Sequence, residues 1–287
     1  MKKIKNILVP TDFSVSARNA FHYAQGLAEA MDANLTVVHV KEYFLPTSEL
    51  SMTPLFELEE EKILTEAIES FISEENNLDD GDVLTATKVQ TRILRGDPVT
   101  RLIEVSNEED CDLMVVGTSG EHDFFSKIFG TTSLSLVNKA HCPVILVPID
   151  AEWTAIKRLM YVSNYDAMTP EMIREAASFA QAVKAMIHFV HVPDSGSEQE
   201  GAAAQILWEQ LFTLTGPNMP YQATCVFGQD LVAELAAYSE RQGIDLMVFV
   251  SKQRSFWETL LSKDMAQNMA LATHTPMMVM HLHENVD

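Results

Sequence analysis

"GTSGEHDFFSKIFGTTS", residues 117–133, is the stretch on which the reading of this chain turns. It places Gly at 117, 120 and 130 and follows the last with Thr131. An apolar run, "DLMVV", stands before it, and "LSLVNKA" at helix-like spacing stands after it. The segment therefore reads as a strand end, a loop and a helix start. At Gly117 a residue without Cβ lets the backbone turn sharply and lets a ligand come close, and Gly120 continues that turn. Gly130 precedes free helix N–H groups, whose dipole favours anions. Thr131, Thr132 and Ser133 add hydroxyl groups there. Ordinary loop glycines ahead of a Thr/Ser-capped helix explain the spacing equally well.

Outward from this stretch, apolar runs alternate with helical patterns. "NILVP" is a short strand candidate. Ala17, Ala20, Phe21, Ala24, Leu27, Ala28 and Met31 then recur at helical spacing, with Ser14 or Ser16 as the cap. "LTVVHV" is a second buried-type strand. "PLFELEEEKILTEAIESFISEENN" predicts a long acidic helix with Leu55, Leu58, Ile63, Leu64, Ala67, Ile68, Phe71 and Ile72 as its stripe. "TKVQTRILRGD" alternates as a strand does, and Pro98 falls in the first turn of the helix after it. "DLMVVG" and "PVILVP" are two further strands flanking a helix over 131–140. Continuous apolar strands separated by helices mean a parallel sheet covered on both faces, an α/β fold. Ligands in such sheets bind at the carboxyl ends of strands, at a topological switch point.

The pattern is written twice. "DANLTVVHV" (32–40) matches "KAMIHFVHV" (184–192), and "NILVPTDFS" (6–14) falls on "RLMYVSNYD" (158–166) at the same offset. "CDLMVVG" (111–117) falls on "IDLMVFV" (244–250), and "KAHCPVILVP" (139–148) on "ATHTPMMVMH" (272–281). Residues 1–150 and 154–283 are thus expected to be two copies of one domain, each with five strands and four helices. The joint, "PIDAEWTAIK", holds no flexible Gly/Ser linker, so the copies should pack closely, as an internal pseudo-dimer about a pseudo-twofold axis. Pairing of two such chains into a homodimer is a further expectation.

Composition narrows the function classes. The net charge of −21 over 287 residues excludes a general nucleic-acid binder, which needs Lys and Arg for phosphates. No segment reaches about 18 uninterrupted apolar residues, so no membrane span is expected. Asp12 interrupts the N-terminal apolar run before a signal-peptide core forms. Three cysteines without a CxxC fit buried thiols in a reducing compartment. A cytoplasmic protein is the expectation.

The spacing G-x2-G-x9-G-[S/T] at Gly117, Gly120, Gly130 and Thr131 resembles the nucleotide-binding signature of the universal stress protein family. "ILVPTDFS", "VVHV" and "HCPVILVP" resemble that family's first, second and last strands, and the likeness runs through the chain as a tandem pair. The resemblance implies two open five-stranded parallel sheets of order 3-2-1-4-5, Rossmann-like and of the adenine nucleotide alpha hydrolase-like kind. It implies an adenine nucleotide ligand: ATP, with ADP or AMP fitting the same cleft, and Mg²⁺ only with bound phosphates. Carried over by position, Asp12 would meet the ribose or adenine side. Pro10 and Thr11 would line the cleft, and the Val40 backbone would meet the adenine edge. Gly117, Ser119 and Gly120 would approach ribose and phosphates, while Gly130, Thr131, Thr132 and Ser133 would hold the phosphates. Ser119 stands where the family often has His or Arg, which removes a cation that Lys127 could replace.

The second copy departs from this pattern. Gly117 becomes Val250, Gly120 becomes Gln253, Gly130 becomes Lys263, Thr131 becomes Asp264 and Asp12 becomes Asn164. Two of these add Cβ atoms at points of close approach, and Asp264 adds a like charge. That copy is expected not to bind ATP in the family's way, although Lys252, Arg254 and Lys263 leave another anionic ligand open. Phe256 and Trp257 lie in its degenerate loop. His281 and His283 near the C-terminus, and His141 and His274 at equivalent positions, do not converge as metal ligands must. No nucleophile–base–acid set, metal-binding carboxylate pair or P-loop is seen, so no enzyme is expected. The readings left open are a tandem ATP-binding stress sensor or regulator, a scaffold without nucleotide, and a weak adenine-nucleotide hydrolase.

Overall fold

The computed structural model describes residues 3–42, 54–76, 89–108, 111–118, 131–163, 169–192, 198–215, 219–227, 231–251 and 274–281. The first half runs β1 (Asn6–Thr11), α1 (Val15–Met31), β2 (Asn34–Lys41), α2 (Pro54–Asn76), β3 (Val89–Arg95), α3 (Pro98–Ser106), β4 (Leu113–Gly117), α4 (Thr131–Lys139) and β5 (Val144–Val147). The second runs β6 (Arg158–Ser163), α5 (Pro170–Val183), β7 (Met186–His191), α6 (Glu198–Thr215), β8 (Tyr221–Cys225), α7 (Leu231–Gln242), β9 (Leu246–Ser251) and β10 (Met277–His281). The helix expected before β10 falls outside the described residues.

Each half has the expected strand order, β3-β2-β1-β4-β5 and β8-β7-β6-β9-β10. The two sets are joined edge to edge into one ten-stranded sheet. Neighbours within each half are parallel, and the seam is antiparallel, with Met277 opposite Leu146, Met278 opposite Ile145 and Val279 opposite Val144. An otherwise exposed strand edge is thereby satisfied in both halves.

Strand side chains alternate between two cores. Ile7, Val9, Leu35 and Val37 face α1, α2, α5 and α6, while Leu8, Val38, Met114 and Val116 face α3, α4 and α7. Burial on both faces explains why these strands are apolar throughout. The first core is continuous across the seam, from Leu27 and Phe71 to Tyr161, Phe189 and Trp208.

Local signals set the helix limits. Ser14 caps α1, its hydroxyl oxygen accepting from Ala17 N at 3.2 Å. The helix stops at Asp32, which takes a left-handed backbone (φ 53°) and sends its N–H to Ala28 O and Glu29 O. In the second half Lys184 does the same at φ 59°, and the following Ala185 N bonds Ala180 O at 2.8 Å. Asp97 caps α3 through Thr100 N at 2.8 Å, ahead of Pro98. The α2 stripe is shorter than the sequence suggests. Ile68 and Phe71 are buried, but Leu58 and Ile63 are exposed. Ile63 points away from the face shared by Ile68 and Phe71, and Leu58 lies more than two turns before the first buried position.

The joint between the halves is docked. Asn19 Nδ2 on α1 donates to Pro148 O at 2.7 Å and to Ala151 O at 2.9 Å. Ala151 and Ile156 are buried. The Trp153 indole lies directly over Gly26 of α1 and meets the Tyr23 ring edge-on at 5.0 Å.

Candidate functional site

The strand order reverses direction at β1, between β2 on one side and β4 on the other. The carboxyl ends of β1 and β4 therefore form the switch point of the first half. Pro10, Thr11 and Asp12 lie at the first of these ends, Gly117 at the second, and Val40 near the end of β2.

Gly117 is clamped between two helix starts on opposite faces of the sheet. On one face, a Cβ added at Gly117 would strike the Ser16 hydroxyl and lie 2.5 Å from Ser16 O and 2.7 Å from Ser16 C. Glycine is thus required for the approach of α1, whatever else it admits. On the other face, Ser133 in the first turn of α4 donates its hydroxyl to Gly117 O at 2.8 Å. Two helix N-termini, at Ser14–Ser16 and Thr131–Ser133, converge on one strand end. Their dipoles bring partial positive charge to the same place, within a chain whose net charge is −21. Removing the α4 tether tests this geometry: Ser133→Ala should lower stability by about 1 kcal/mol in urea unfolding. Ser133→Thr, which keeps a hydroxyl, should retain most of it. Equal losses in both variants would reject the hydrogen bond as the cause.

The turn after β1 is held by its own side chains. Asp12 is exposed, and its Oδ1 accepts from Ser14 N at 3.0 Å. Thr11 is buried, and its Oγ1 accepts from Phe13 N at 3.0 Å. Phe13 has a left-handed backbone, φ 66°, which is costly for a bulky residue. Its ring is packed 4.6 Å from His39 and 5.9 Å from Phe71, which fixes the strained turn. His39 Nδ1 lies 2.9 Å from Thr11 O, so that nitrogen carries the proton. Composition and spacing do not single out Phe13 or His39. The signal, in retrospect, is a large aromatic directly after the strand-end Asp.

At the rim formed by β2 and β3, Lys41 and Arg95 both pair with Glu60 of α2, the second at 3.5 Å. Burial, and secondarily the Arg95 charge, hold the Lys41 ammonium below its usual range. The two cations thus share one carboxylate at that rim. Thr132 is half-buried in the first turn of α4, and Thr131 begins that helix. Ser119, Gly120, Lys127 and Gly130 lie outside the described residues.

The second half presents a different strand end. Val250 stands at the position of Gly117 and is fully buried, opposite Ser163 of β6. Ser163 is fully buried as well, and its Oγ has no hydrogen-bond partner among the described residues. Asn164, Lys252, Gln253, Arg254, Phe256, Trp257, Lys263, Asp264 and His283 lie outside them. Among the described residues, no three His, Cys, Asp or Glu side chains are grouped to hold a metal ion. No helix among those residues is long and apolar enough to cross a membrane.

Residues 3–148 match the sequence model of the universal stress protein family. A universal stress protein of Methanocaldococcus jannaschii is 27% identical over 143 residues, covering 50% of this chain and 81% of that protein. A putative universal stress protein of Staphylococcus aureus is 31% identical over 144 residues, covering 50% of this chain and 83% of its own. The crystal structure of a universal stress protein from Archaeoglobus fulgidus superposes on 98% of this chain and 99% of its own with a TM-score of 0.72, at 15% identity. That likeness is one of fold, and it extends over both halves.

Proposed function

The chain belongs to the universal stress protein family, and on that premise we propose that its first half binds ATP, ADP or AMP and that the protein acts as a stress-response sensor or regulator. The observation that carries this reading is the convergence of two helix N-termini on Gly117 at the β1/β4 switch point. An oligophosphate is the common cellular anion such an arrangement suits. The glycine and hydroxyl spacing from Gly117 to Ser133 supports the same ligand. In this proposal Gly117, Ser119, Gly120, Gly130, Thr131, Thr132 and Ser133 surround ribose and phosphates. The Ser133 hydroxyl, already donated to Gly117 O, serves chiefly to set the α4 N-terminus in place. Asp12, Pro10, Thr11 and the Val40 backbone take the nucleoside. Mg²⁺ accompanies the phosphates rather than occupying a site of its own.

The second half acts as a partner copy without nucleotide. Val250 stands where Gly117 admits the close approach of α1 in the first half, and Asn164 and Asp264 replace Asp12 and Thr131. The antiparallel seam between β5 and β10 supports the two halves as an internal pseudo-dimer, residues 1–150 against 154–283. The protein works by binding rather than turnover: among the described residues, no set of nucleophile, base and acid meets at the switch point.

Calorimetric titration with ATP on the wild type and on Gly130→Asp tests the proposal. One site per chain, lost in the variant, is the expected result. Two sites would mean that the second half binds as well. No heat with ATP, ADP or AMP would overturn the nucleotide reading and leave a stress-linked scaffold, to be pursued through its protein partners. Phosphate release well above background would make it a hydrolase.

A further inference from the structure

At the opposite end of the sheet from the switch point, Cys111 and Cys142 precede the first residues of β4 and β5. These strands are parallel neighbours, with Met114 opposite Val144, so the two cysteines sit almost side by side. Their sulfurs are 3.3 Å apart, though the residues are 31 apart in the chain. Both are free thiols and both are buried. A disulfide needs sulfurs at about 2.05 Å, so side-chain rotation and a shift on the order of 1 Å suffice. Cys111 also lines a cavity of ≈220 Å³ with Asn6, Asn34, Arg92 and Glu108, roomy enough for a small polar oxidant. Arg92 holds Glu108 across it at 2.7 Å.

We infer that Cys111 and Cys142 are a modification site, oxidised by a hydroperoxide to an intramolecular disulfide. The Cys111 sulfur attacks one peroxide oxygen. An S–O bond forms, the O–O bond breaks, and the departing oxygen leaves as water with the thiol proton when the oxidant is hydrogen peroxide. The Cys142 sulfur then attacks the sulfenic sulfur. The S–S bond forms, the S–O bond breaks, and the hydroxyl leaves as water with the Cys142 proton. Two thiols lose two electrons and the peroxide gains them. Cys111, and not Cys142, lines the cavity and so meets the oxidant first, while the hydrogen bond with Cys111, and then burial, raise the Cys142 thiol above its usual range. The closed ring encloses β4, the Gly117–Ser133 stretch and α4. The bond is therefore a covalent staple beneath the switch point, and it forms whether or not nucleotide binds there.

The test treats the folded full-length chain with hydrogen peroxide, removes the oxidant, unfolds the protein and alkylates the remaining thiols for mass mapping. Cys225, half-buried on β8, is the internal control. The expected result is that Cys111 and Cys142 lose their label in parallel and appear as one cross-linked peptide. The intact mass falls by two hydrogens, dithiothreitol restores both labels, and Cys225→Ser behaves as wild type. Cys111→Ser and Cys142→Ser should give no such peptide. Labels retained at both positions in the wild type, a cross-link through Cys225, or oxygen addition at Cys111 without a cross-link would each overturn the inference.

Discussion

Replacing Gly117 by Ala should destabilise the protein by about 3 kcal/mol, despite being the smallest change available. Two effects oppose each other. Alanine in a strand loses less backbone entropy on folding than glycine, which favours the variant by about 0.5–1 kcal/mol. The new Cβ, however, would lie 2.5 Å from Ser16 O and 2.7 Å from Ser16 C. These are backbone atoms in the first turn of α1 and cannot rotate aside. That turn is fixed by the Ser14 cap and by buried Ala17, Ala20 and Phe21. Relief requires moving the helix start or the end of β4, and either movement disturbs the core between them. The collision outweighs the entropy term. Urea unfolding measures it directly, with the midpoint shifting and the slope unchanged. An unchanged or raised midpoint would mean that α1 does not press on this strand end and that the glycine serves a ligand alone. If the midpoint falls as expected, loss of ATP binding in Gly117→Ala says little about phosphate contacts. Gly130→Asp is then the cleaner probe of binding.

What the sequence made legible, and what it did not, follows from the range of each signal. The strands themselves, a serine cap at Ser14 or Ser16 and Pro98 in its helix's first turn are encoded by residues a few positions apart, whereas strand order within each half came from the family resemblance. The seam was not legible in this way. "PVILVP" and "PMMVMH" read as buried strands whatever lies beside them, and periodicity does not name a neighbour. One clue was available: β5 ends the order of its half, yet Val144, Ile145, Leu146 and Val147 are all apolar. A free edge is commonly guarded by charge or proline, and its absence called for a partner. At the site, Thr11, Asp12, Gly117 and Ser133 were named from pattern and resemblance. The left-handed Phe13 and the Lys41–Glu60–Arg95 group were not, because each depends on rings or charges brought from other elements. Gly117 itself was read for turning and for ligand approach, and the helix pressed against it was invisible. A glycine reports that something comes close without reporting what.

Gly26 poses the same question in a helix, and there the answer can be tested by a change of sign. Alanine in place of glycine inside an exposed helix is ordinarily favourable by about 1 kcal/mol. Here Gly26→Ala should instead cost about 2 kcal/mol, because the added methyl would occupy the space of the Trp153 indole. Trp153 would have to leave its place against Tyr23, exposing apolar surface and losing an edge-on aromatic contact. The intrinsic tryptophan emission should shift to the red, against the background of the chain's other two tryptophans, Trp257 and the buried Trp208. In a Trp153→Ala background no indole stands in the way, and Gly26→Ala should stabilise by about the usual 1 kcal/mol. The difference between backgrounds, about 3 kcal/mol, is the coupling between α1 and the joint. Equal effects in both backgrounds would mean that the joint is not docked through Trp153. A sign reversal would show that a glycine in the first half is kept for a residue of the connection to the second. The two halves would then be held in register by a packed wedge as well as by the β5–β10 seam and the Asn19 hydrogen bonds.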